Sequence, residues 1–490
     1  MSITPEQGGI SSASIERFIN ELNAHGFAMH SVLLARGGKI LYEGYWKPFS
    51  ADRLHRMNSV TKSFVGIAVG LLIEDGLLSL DDKVAKFFPD SLPANMRAEL
   101  GEQTVRDMLC MRTCITPAGE HWVRDGVPDR TRAYFQATPS RPANTLFFYD
   151  TTASFLLARI VKDLTGMPFL ELLRKRVLSK IGFSEDAVCI KGNDGYSWAD
   201  SGLLCTTRDL FRFAEFLRLG GVWKGERLMS EEYVKAATAR QTASNPSGWD
   251  SYSTFGYGYQ IWKTWDDGFA FFGMGDQIMI CLPQRELIFV CTADNQGCAF
   301  SRALILDAFD RNIRQTVADA PIPEDAKAQA SLRLCTDALS LVSLRGAHTS
   351  PTSDAINEKT VMLRENPMGL RWCRFCFDAS GGRMEYENAT GVKSLPFGFG
   401  ENVLSRFPEE GYPDMDIRAF TPDSYYPCAT SAAWQDERTL AIKCFMIGKH
   451  LGALYITVGF RPDGTVGLRM LRNTNCFLAT YNGYATGRIE

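Results

Sequence analysis

Apolar positions along the first 315 residues follow helical spacing in some segments and strand-like runs in others. Helical spacing occurs in the segments SSASIERFINELNAHG, TASFLLARIVKDLTG, FLELLRKRVLSKIGF and TTRDLFRFAEFLRLGG. Strand-like runs occur in SVLLARGGKILYEGYW, whose two glycines predict a hairpin turn, and in GFAFFGMGDQIMICLP and ELIFVCTADN, joined by a Pro-Gln-Arg turn. Strands first, helices next and strands again predict an α+β fold, with one antiparallel sheet flanked by helices.

The pattern changes at QTVADAPIPEDAKAQAS, where proline, alanine and charge replace periodic hydrophobicity. We therefore predict a domain over residues 1–315, a linker over 316–332 and a second domain over 333–490. The last part contains short apolar runs separated by Gly, Asn and Asp turns, as in KCFMIGKHLGALYITVGFRPDGTVGLRMLR. This alternation predicts an all-β sandwich or barrel.

Composition narrows the class of protein. The 490 residues are 45% hydrophobic and 22% charged with a net charge of -3, which is typical of a soluble globular protein without a basic nucleic-acid surface. No apolar run approaches the ~20 residues of a membrane span, and the N-terminus lacks the basic and apolar regions of a secretory signal. The 13 cysteines, an odd number, are scattered through apolar segments and favour reduced thiols. We therefore expect a cytoplasmic protein with neither membrane nor nucleic acid as a partner.

One segment, Ser59-Val60-Thr61-Lys62, carries candidate chemistry. Residues three apart on a helix share a face, so Ser59 and Lys62 are predicted to lie about one turn from each other. Polar residues precede the segment and apolar residues follow it, which places the serine at the start of a buried helix, where free N–H groups favour a developing oxyanion. A buried lysine is costly to keep charged and can accept the proton of a serine nucleophile. A Ser-x-x-Lys pattern also arises by chance about once or twice in a chain of this length. The alternative interpretation is an N-cap serine followed by a surface lysine.

A second motif, Tyr149-Asp150-Thr151, precedes a predicted helix. Together with Ser59 and Lys62 it resembles the motifs of the penicillin-recognising superfamily of serine β-lactamases, D,D-peptidases and related esterases and amidases, in which Tyr-x-Asn lies on a loop before such a helix. The resemblance covers roughly residues 10–315 and implies a transpeptidase-like α+β fold, with Ser59, Lys62 and Tyr149 as catalytic residues. Thr151 stands where asparagine is usual. A hydroxyl can still donate one hydrogen bond, but it lacks the separate carbonyl acceptor and NH2 donor of the asparagine amide.

The third family motif, Lys-Thr-Gly or His-x-Gly on a strand, has its best counterpart in Phe271-Phe272-Gly273. Phe271 stands where relatives carry a cation that binds the substrate carboxylate, which argues against β-lactams and favours a more apolar acyl pocket. Gly273 allows the strand to approach the nucleophile closely. The resemblance implies that the backbone N–H groups of Met274 and Ser59 bind the oxyanion. The alternative is a core strand that happens to contain glycine.

His121 and Trp122 lie between the first two motifs, in a loop that rims the pocket in relatives; the alternative is that both are ordinary surface residues. The sequence contains no His-Glu-x-x-His, no phosphate loop, no dinucleotide fingerprint and no clustered Cys/His set. It therefore implies no metal and no organic cofactor.

The resemblance implies a serine hydrolase that cleaves a small ester, amide or peptide through an acyl-enzyme, similar to esterases and to 6-aminohexanoate-dimer hydrolase. The C-terminal β-domain resembles a lipocalin-like domain found after some members. Two alternatives stay open: an acyltransferase or peptide cyclase that uses the same acyl-enzyme, and a non-catalytic sensor resembling a penicillin-binding protein. A pure binding protein needs no buried Ser–Lys pair, which argues against the sensor. The oligomeric state is also open, with a homodimer as one possibility.

Overall fold

The computed structural model describes residues 3–116, 129–192, 194–244, 251–417, 420–474 and 477–490. Two compact units are present: Met1–Ser340 with Met415–Ile417, and Leu341–Asp414 with Arg418–Glu490. The first boundary therefore lies later than the predicted linker 316–332.

A helix accounts for this difference in the boundary. Ala326–Asp337 is helical, is capped by the side chain of Asp325 and packs on the first helix of the chain, where Ser331 Oγ donates to Glu16 Oε1 at 2.9 Å. The alanines, lysine and glutamine that make this stretch look like a linker are also good helix formers.

The first unit is rich in helices. Its α-helices are α1 Ser12–Ala24, α2 Thr61–Glu74, α3 Ala98–Gly101, α4 Val105–Leu109, α5 Arg130–Phe135, α6 Thr151–Thr165, α7 Phe169–Leu173, α8 Ser179–Ile181, α9 Thr207–Arg218, α10 Glu231–Thr238, α11 Ser301–Phe309 and α12 Ala326–Asp337. A π-helical turn, Arg174–Leu178, joins α7 to α8, so that all four helices predicted from apolar spacing are present. Helix α9 begins with a capping box between Thr206 and Asp209, and α6 ends at Gly166, which has a φ of 72°.

The described strands of the first unit form one main sheet of six strands and two small sheets of three and two strands. They are β1 Met29–Arg36, β2 Lys39–Tyr45, β3 His55–Arg56, β4 Val188–Cys189, β5 Leu203–Cys205, β6 Val222–Trp223, β7 Glu226–Arg227, β8 Trp262–Lys263, β9 Phe269–Gly273, β10 Gln277–Leu282 and β11 Leu287–Ala293. The main sheet has the order β2-β1-β11-β10-β9-β8 and is antiparallel throughout, which confirms the predicted antiparallel sheet.

One predicted strand is in fact a hairpin. The run GFAFFGMGDQIMICLP forms both β9 and β10, because Gly275 and Asp276 adopt φ values of 77° and 72° and reverse the chain. The run is apolar on both sides of this turn, so that its periodicity conceals the reversal. The predicted Pro-Gln-Arg turn joins β10 to β11 as the 3-10 turn Pro283–Arg285.

Helices cover both faces of the main sheet. On one face α1 and α11 pack through Phe18, Phe289 and Phe309, whose rings have centroid distances of 5.7 Å for Phe18–Phe289 and 4.6 Å for Phe289–Phe309. On the other face Phe213 of α9 contacts Phe271, and Phe64 of α2 stacks on Phe213 at 3.9 Å. Helix α2, which follows the candidate nucleophile, is therefore interior, as its apolar sequence predicts.

The second unit is an all-β domain, as predicted, with one short helix, α13 Pro351–Ile356. Its strands are β12 Thr360–Leu363, β13 Trp372–Phe377, β14 Gly381–Asn388, β15 Gly391–Phe399, β16 Val403–Glu410, β17 Tyr425–Asp436, β18 Thr439–Ile447, β19 Leu451–Phe460, β20 Thr465–Asn473 and β21 Gly483–Ile489. Antiparallel pairing runs in the order β15-β14-β13-β12-β21-β20-β19-β18-β17-β16, and a parallel pairing of β15 with β17 closes nine of these strands into a barrel. Among the helices in the described ranges, none is both long enough and apolar enough to cross a membrane.

Candidate active site

Ser59 lies in a 3-10 turn, Asn58–Val60, immediately before α2. The hydroxyl of Thr61 donates to the main-chain oxygen of Asn58 at 2.6 Å and holds this turn on the end of the helix. The side-chain amide of Asn58 donates to the main-chain oxygen of Met274 at 2.8 Å, which ties the turn to the end of β9. Ser59 itself is partly exposed, so its hydroxyl is within reach of a ligand from solvent.

Lys62 lies one turn further along and is only 1% exposed. Its Nζ donates to Ser59 Oγ at 3.0 Å and to the main-chain oxygen of Asp200 at 2.8 Å. The same nitrogen lies 5.1 Å from the centroid of the Tyr149 ring. The structure thus brings together the three residues that the sequence predicts to be catalytic.

A buried carboxylate positions Tyr149. Asp150 directly follows this tyrosine and caps α6 by accepting from the backbone N–H of Thr152 at 2.9 Å. It also accepts from the hydroxyl of Thr113 at 2.8 Å. Asp150 is fully buried, and this burial raises the pKa of its carboxyl group above the ordinary value. Fixing the start of α6 fixes the backbone that carries the phenol.

An aromatic cluster fixes the ring of Tyr149. Trp262 of β8 stacks on it with a centroid distance of 5.6 Å and an interplanar angle of 20°. Tyr257 meets it edge to face at 6.4 Å, and Phe147 packs on both Tyr257 and Trp262. Burial, followed by the proximity of Tyr149, raises the pKa of Tyr257 well above its ordinary value, so Tyr257 stays a neutral phenol.

No sequence pattern indicates the second partner of Lys62, which lies on the side of its amine away from Ser59. Asp200, whose main-chain oxygen accepts from Lys62, pairs through its carboxylate with Arg130 at 2.8 Å, and the two side chains are 1% and 2% exposed. The Arg130 guanidinium also lies 4.2 Å over the ring of Phe155 in α6. The two charged residues are far apart in the chain, and no spacing rule connects them.

The chain around Asp200 lies along the nucleophile turn. The N–H of Met57 donates to the main-chain oxygen of Leu203 at 2.8 Å, and the N–H of Leu203 donates to the hydroxyl of Thr61 at 3.1 Å. Leu203, which follows Asp200 by three residues, is therefore hydrogen-bonded to the residues on either side of Ser59, to Met57 before it and to Thr61 after it.

The end of β9 lies against the other side of the turn. A Cβ atom on Gly273 would lie 2.4 Å from the main-chain oxygen of Met57, so only glycine permits this approach. Met274 follows, and its main-chain oxygen accepts from Asn58 and from Gln277 Nε2. Gly273 and Met274 thus lie against the turn that carries Ser59, through Met57 and Asn58.

The remaining predicted site residues lie in different surroundings. Phe271 points to the same face of the sheet as Gly273 but is 0% exposed and packs on Phe213. Thr151 is the half-buried first residue of α6. His121 and Trp122 fall outside the described residues.

A pair of buried histidines supports the strand before the nucleophile. His30 Nδ1 and His55 Nε2 are 2.7 Å apart, and His55 Nδ1 lies 3.0 Å from the main-chain oxygen of Arg56. A carbonyl can only accept, so His55 carries its proton on Nδ1 and accepts from His30 at Nε2. Burial, then the neighbouring histidine and Arg53, lowers the pKa of His30 well below its usual value, and burial lowers that of His55 to about 3. Both rings are therefore neutral in the folded protein at neutral pH.

The part of the chain that the structure describes contains no cluster of side chains suited to binding a metal ion. There, no three His, Cys, Asp or Glu side chains come close enough together to hold an ion. The Ser59–Lys62–Tyr149 arrangement instead offers a hydroxyl, an amine and a phenol, which are the groups needed for nucleophilic attack and proton transfer.

Comparison with known proteins places this arrangement in context. A family model described as Beta-lactamase matches residues 15–304, more than half of the chain. The 6-aminohexanoate-dimer hydrolase of Paenarthrobacter ureafaciens is 27% identical over 259 residues, which is 50% of this chain and 66% of that protein, just under two thirds of its length.

Two solved structures share the fold. A penicillin-binding protein homologue from Caulobacter crescentus has a TM-score of 0.51 at 18% identity and covers 64% of this chain and 99% of its own. The D-amino acid amidase from Ochrobactrum anthropi SV3 has a TM-score of 0.50 at 18% identity and covers 61% and 99%. At these identities the likeness concerns the fold alone.

Proposed function

This chain belongs to the beta-lactamase family, and from that premise we propose that it is a serine hydrolase that cleaves a neutral ester or amide through an acyl-enzyme on Ser59. The observation that carries the proposal is the 3.0 Å contact between Lys62 Nζ and Ser59 Oγ, made by a lysine that is 1% exposed. A buried amine in contact with a hydroxyl is the arrangement of an activated nucleophile.

In the first step Ser59 Oγ bonds to the substrate carbonyl carbon while its proton passes to Lys62 Nζ, with Tyr149 as the second member of the proton-transfer pair. The carbonyl oxygen becomes the oxyanion. When the tetrahedral intermediate collapses, the bond to the leaving group breaks and Tyr149 gives its proton to the leaving amine or alcohol, while the proton that Lys62 took from Ser59 passes to Tyr149. The stacking of Tyr149 on Trp262 supports this role, because it holds the phenol in one orientation beside Lys62.

The oxyanion is bound by the backbone N–H groups of Ser59 and Met274. Donors aimed in advance at the developing charge supply a large part of the stabilisation in acyl transfer. The close approach of Gly273 to Met57 supports the assignment, because it brings the end of β9 against the nucleophile turn. Water then attacks the acyl-enzyme carbonyl carbon and gives a proton to the Lys62–Tyr149 pair, which passes it to Ser59 Oγ as the ester bond breaks and the acid leaves.

The substrate is neutral where relatives bind a carboxylate. By the sequence motif Phe271 stands at the position of the family's cation, and its side chain is 0% exposed and packs on Phe213, so it offers no charge to a substrate carboxylate. A hydrolase of a 6-aminohexanoate dimer is among the relatives, which favours an amide bond between small, flexible groups.

The test is intact-mass labelling of the full chain with a fluorophosphonate, followed by assays on nitrophenyl esters, aminoacyl amides and β-lactams. One equivalent should attach to Ser59, and Ser59→Ala should abolish labelling and lower turnover by at least about 10³-fold. Labelling of a serine in the alanine variant would show that the nucleophile is another residue. Product analysis with an added amine separates hydrolysis from acyl transfer. A wild-type protein that is neither labelled nor active would favour the non-catalytic sensor instead.

A further inference from the structure

A cavity of about 230 Å³, open to solvent, lies among strand ends and loops of the barrel in the second unit, and the proposed hydrolase has no use for it. Its walls combine apolar side chains, among them Met368, Tyr426 and Leu478, with the polar side chains of Asn388 and Glu409. We propose that this cavity binds a small cationic ligand, a primary ammonium on a short apolar chain, with Glu409 as its counter-ion. The volume lies below the range of about 300–1,000 Å³ typical of drug-sized ligands, so the ligand is small.

Glu409 is built into the cavity wall by a network of donors. Its Oε1 accepts from the hydroxyl of Tyr481 at 2.5 Å and from Asn388 Nδ2 at 2.7 Å. The hydroxyl of Tyr386 lies 2.9 Å from that of Tyr481 and, because Tyr481 donates to the carboxylate, Tyr386 donates to Tyr481. Burial raises the pKa of both tyrosines, which keeps them protonated and able to donate. The network holds the carboxylate of Glu409 in one orientation.

The second oxygen of Glu409 is less well satisfied. Oε2 lies 3.3 Å from the hydroxyl of Thr390 and 3.5 Å from Lys393 Nζ, both longer than a good charge-assisted hydrogen bond of about 2.7–2.9 Å. The side chain of Glu409 is 18% exposed, so a ligand can reach it. A ligand ammonium placed at Oε2 would form a short charge-assisted hydrogen bond, which Lys393 at 3.5 Å does not form.

The charge around the cavity favours a cation. Glu410 lines it together with Glu409, and among the described lining residues none is Lys or Arg. An anion entering this cavity would lose its water beside two carboxylates, and Lys393, the cation at Glu409, is already paired with that carboxylate. A cation gains Glu409, and the ring of Tyr426, which packs on Tyr412 and Phe477, forms an apolar part of the same wall. Met368 and Leu478 then cover the apolar part of the ligand.

The experiment is calorimetric titration of the full chain with n-hexylammonium, with hexan-1-ol and hexanoate as neutral and anionic counterparts. Hexylammonium should bind at least about tenfold more tightly than either counterpart, and E409Q should lose about tenfold or more in affinity, since a charge-assisted contact becomes a neutral one. E365Q, which alters an exposed glutamate of the same unit outside the cavity lining, should leave the affinity unchanged. Equal binding of hexanol, or an affinity that E409Q does not change, would overturn the proposal.

Lys393→Met provides a test that leaves Glu409 and its network of tyrosines intact. Removing the competing cation at 3.5 Å should tighten the binding of hexylammonium severalfold. Unchanged or weaker binding in this variant would overturn the proposal even if E409Q failed to fold. These outcomes are independent of Ser59, so failure here leaves the hydrolase proposal standing.

Discussion

Lys62 is held in place by Asp200: its Nζ donates to the main-chain oxygen of Asp200 at 2.8 Å, and the carboxylate of Asp200 is in turn paired with Arg130. The amine therefore contacts Ser59 on one side and a backbone oxygen anchored by a buried ion pair on the other. Such pairs add little net stability, but they are costly to break, because the remaining charge has no water.

Arg130→Met should therefore cost about 3–5 kcal/mol in the free energy of unfolding, measured by urea titration. The double variant Arg130→Met/Asp200→Leu should recover most of that loss, because neither charge remains, while the main-chain oxygen that receives Lys62 is retained. If the single variant were as stable as the wild type, the buried charge of Asp200 would not need Arg130 as its partner.

Lys62→Ala and Tyr149→Phe should each lower the acylation rate by roughly 10²–10⁴-fold, the usual range for a general acid or base, without loss of the fold. The matched control is Tyr257→Phe, which removes a phenol hydroxyl from the same aromatic cluster and should change the rate little. Stopped-flow acylation with an amide or ester substrate measures both. A Tyr149→Phe variant with unchanged kcat/KM on an amide would exclude the proton-transfer role.

Gly273→Ala should impair catalysis through geometry. Its Cβ would meet the main-chain oxygen of Met57 at 2.4 Å, so β9 or the nucleophile turn must shift, and a displacement of about 1 Å can cost on the order of 10²-fold in rate. Gly459→Ala, in a strand where a Cβ meets nothing within 4 Å, is the control and should leave kcat/KM unchanged. Equal activity of the two variants would show that the close approach is not needed.

Stability should fall below about pH 6.5 because of His30 and His55. Above that pH the histidines are neutral in both the folded and the unfolded chain and contribute nothing to the pH dependence. As the pH falls, the unfolded chain takes up protons while the folded chain, with both pKa values lowered, does not, so the folded state loses up to about 1.4 kcal/mol per pH unit per histidine until the folded values are reached, about 3 for His55.

Urea titrations at pH 7.5, 6.5 and 5.5 measure this slope. The double variant His30→Gln/His55→Gln keeps hydrogen-bonding groups but cannot titrate, and its slope should be smaller. An identical slope in wild type and variant would show that other groups determine the acid sensitivity.

Neutral esters or amides should be turned over at least about tenfold better than β-lactams or D-Ala-D-Ala mimics. A cation at position 271 would stabilise a bound carboxylate by about 1.5–3 kcal/mol per charge-assisted hydrogen bond, and phenylalanine provides none. Phe271→His should reduce the difference in turnover between neutral substrates and those that carry a carboxylate. Hydrolysis of a cephalosporin as fast as a neutral aryl ester would refute this basis for selectivity.

Short-range spacing and a family motif predict the centre of this site well. The three-residue spacing of Ser59 and Lys62 on a helix predicts their contact, and the position of Tyr149 before α6 places it beside them. The β9–β10 turn was missed, because the residues on both sides of it are apolar. The Arg130–Asp200 pair was missed because its partners, distant in sequence, come together only when α5 and the loop before β5 pack. The second unit begins at Leu341, after α12, whose composition resembles that of a linker although it packs on α1.

The order of strands in the main sheet also bears on how the protein is made. Neighbouring strands β1 and β11 pair Leu33 with Val290, so the nascent hairpin β1–β2 lacks its central neighbour until roughly 250 further residues have been synthesised. At about 5–20 residues per second, this delay is on the order of 10–50 seconds. During translation the open edge of β1 is a surface to which another chain can add. Ser59 emerges early in that interval, and Gly273, which closes on Met57, emerges near its end.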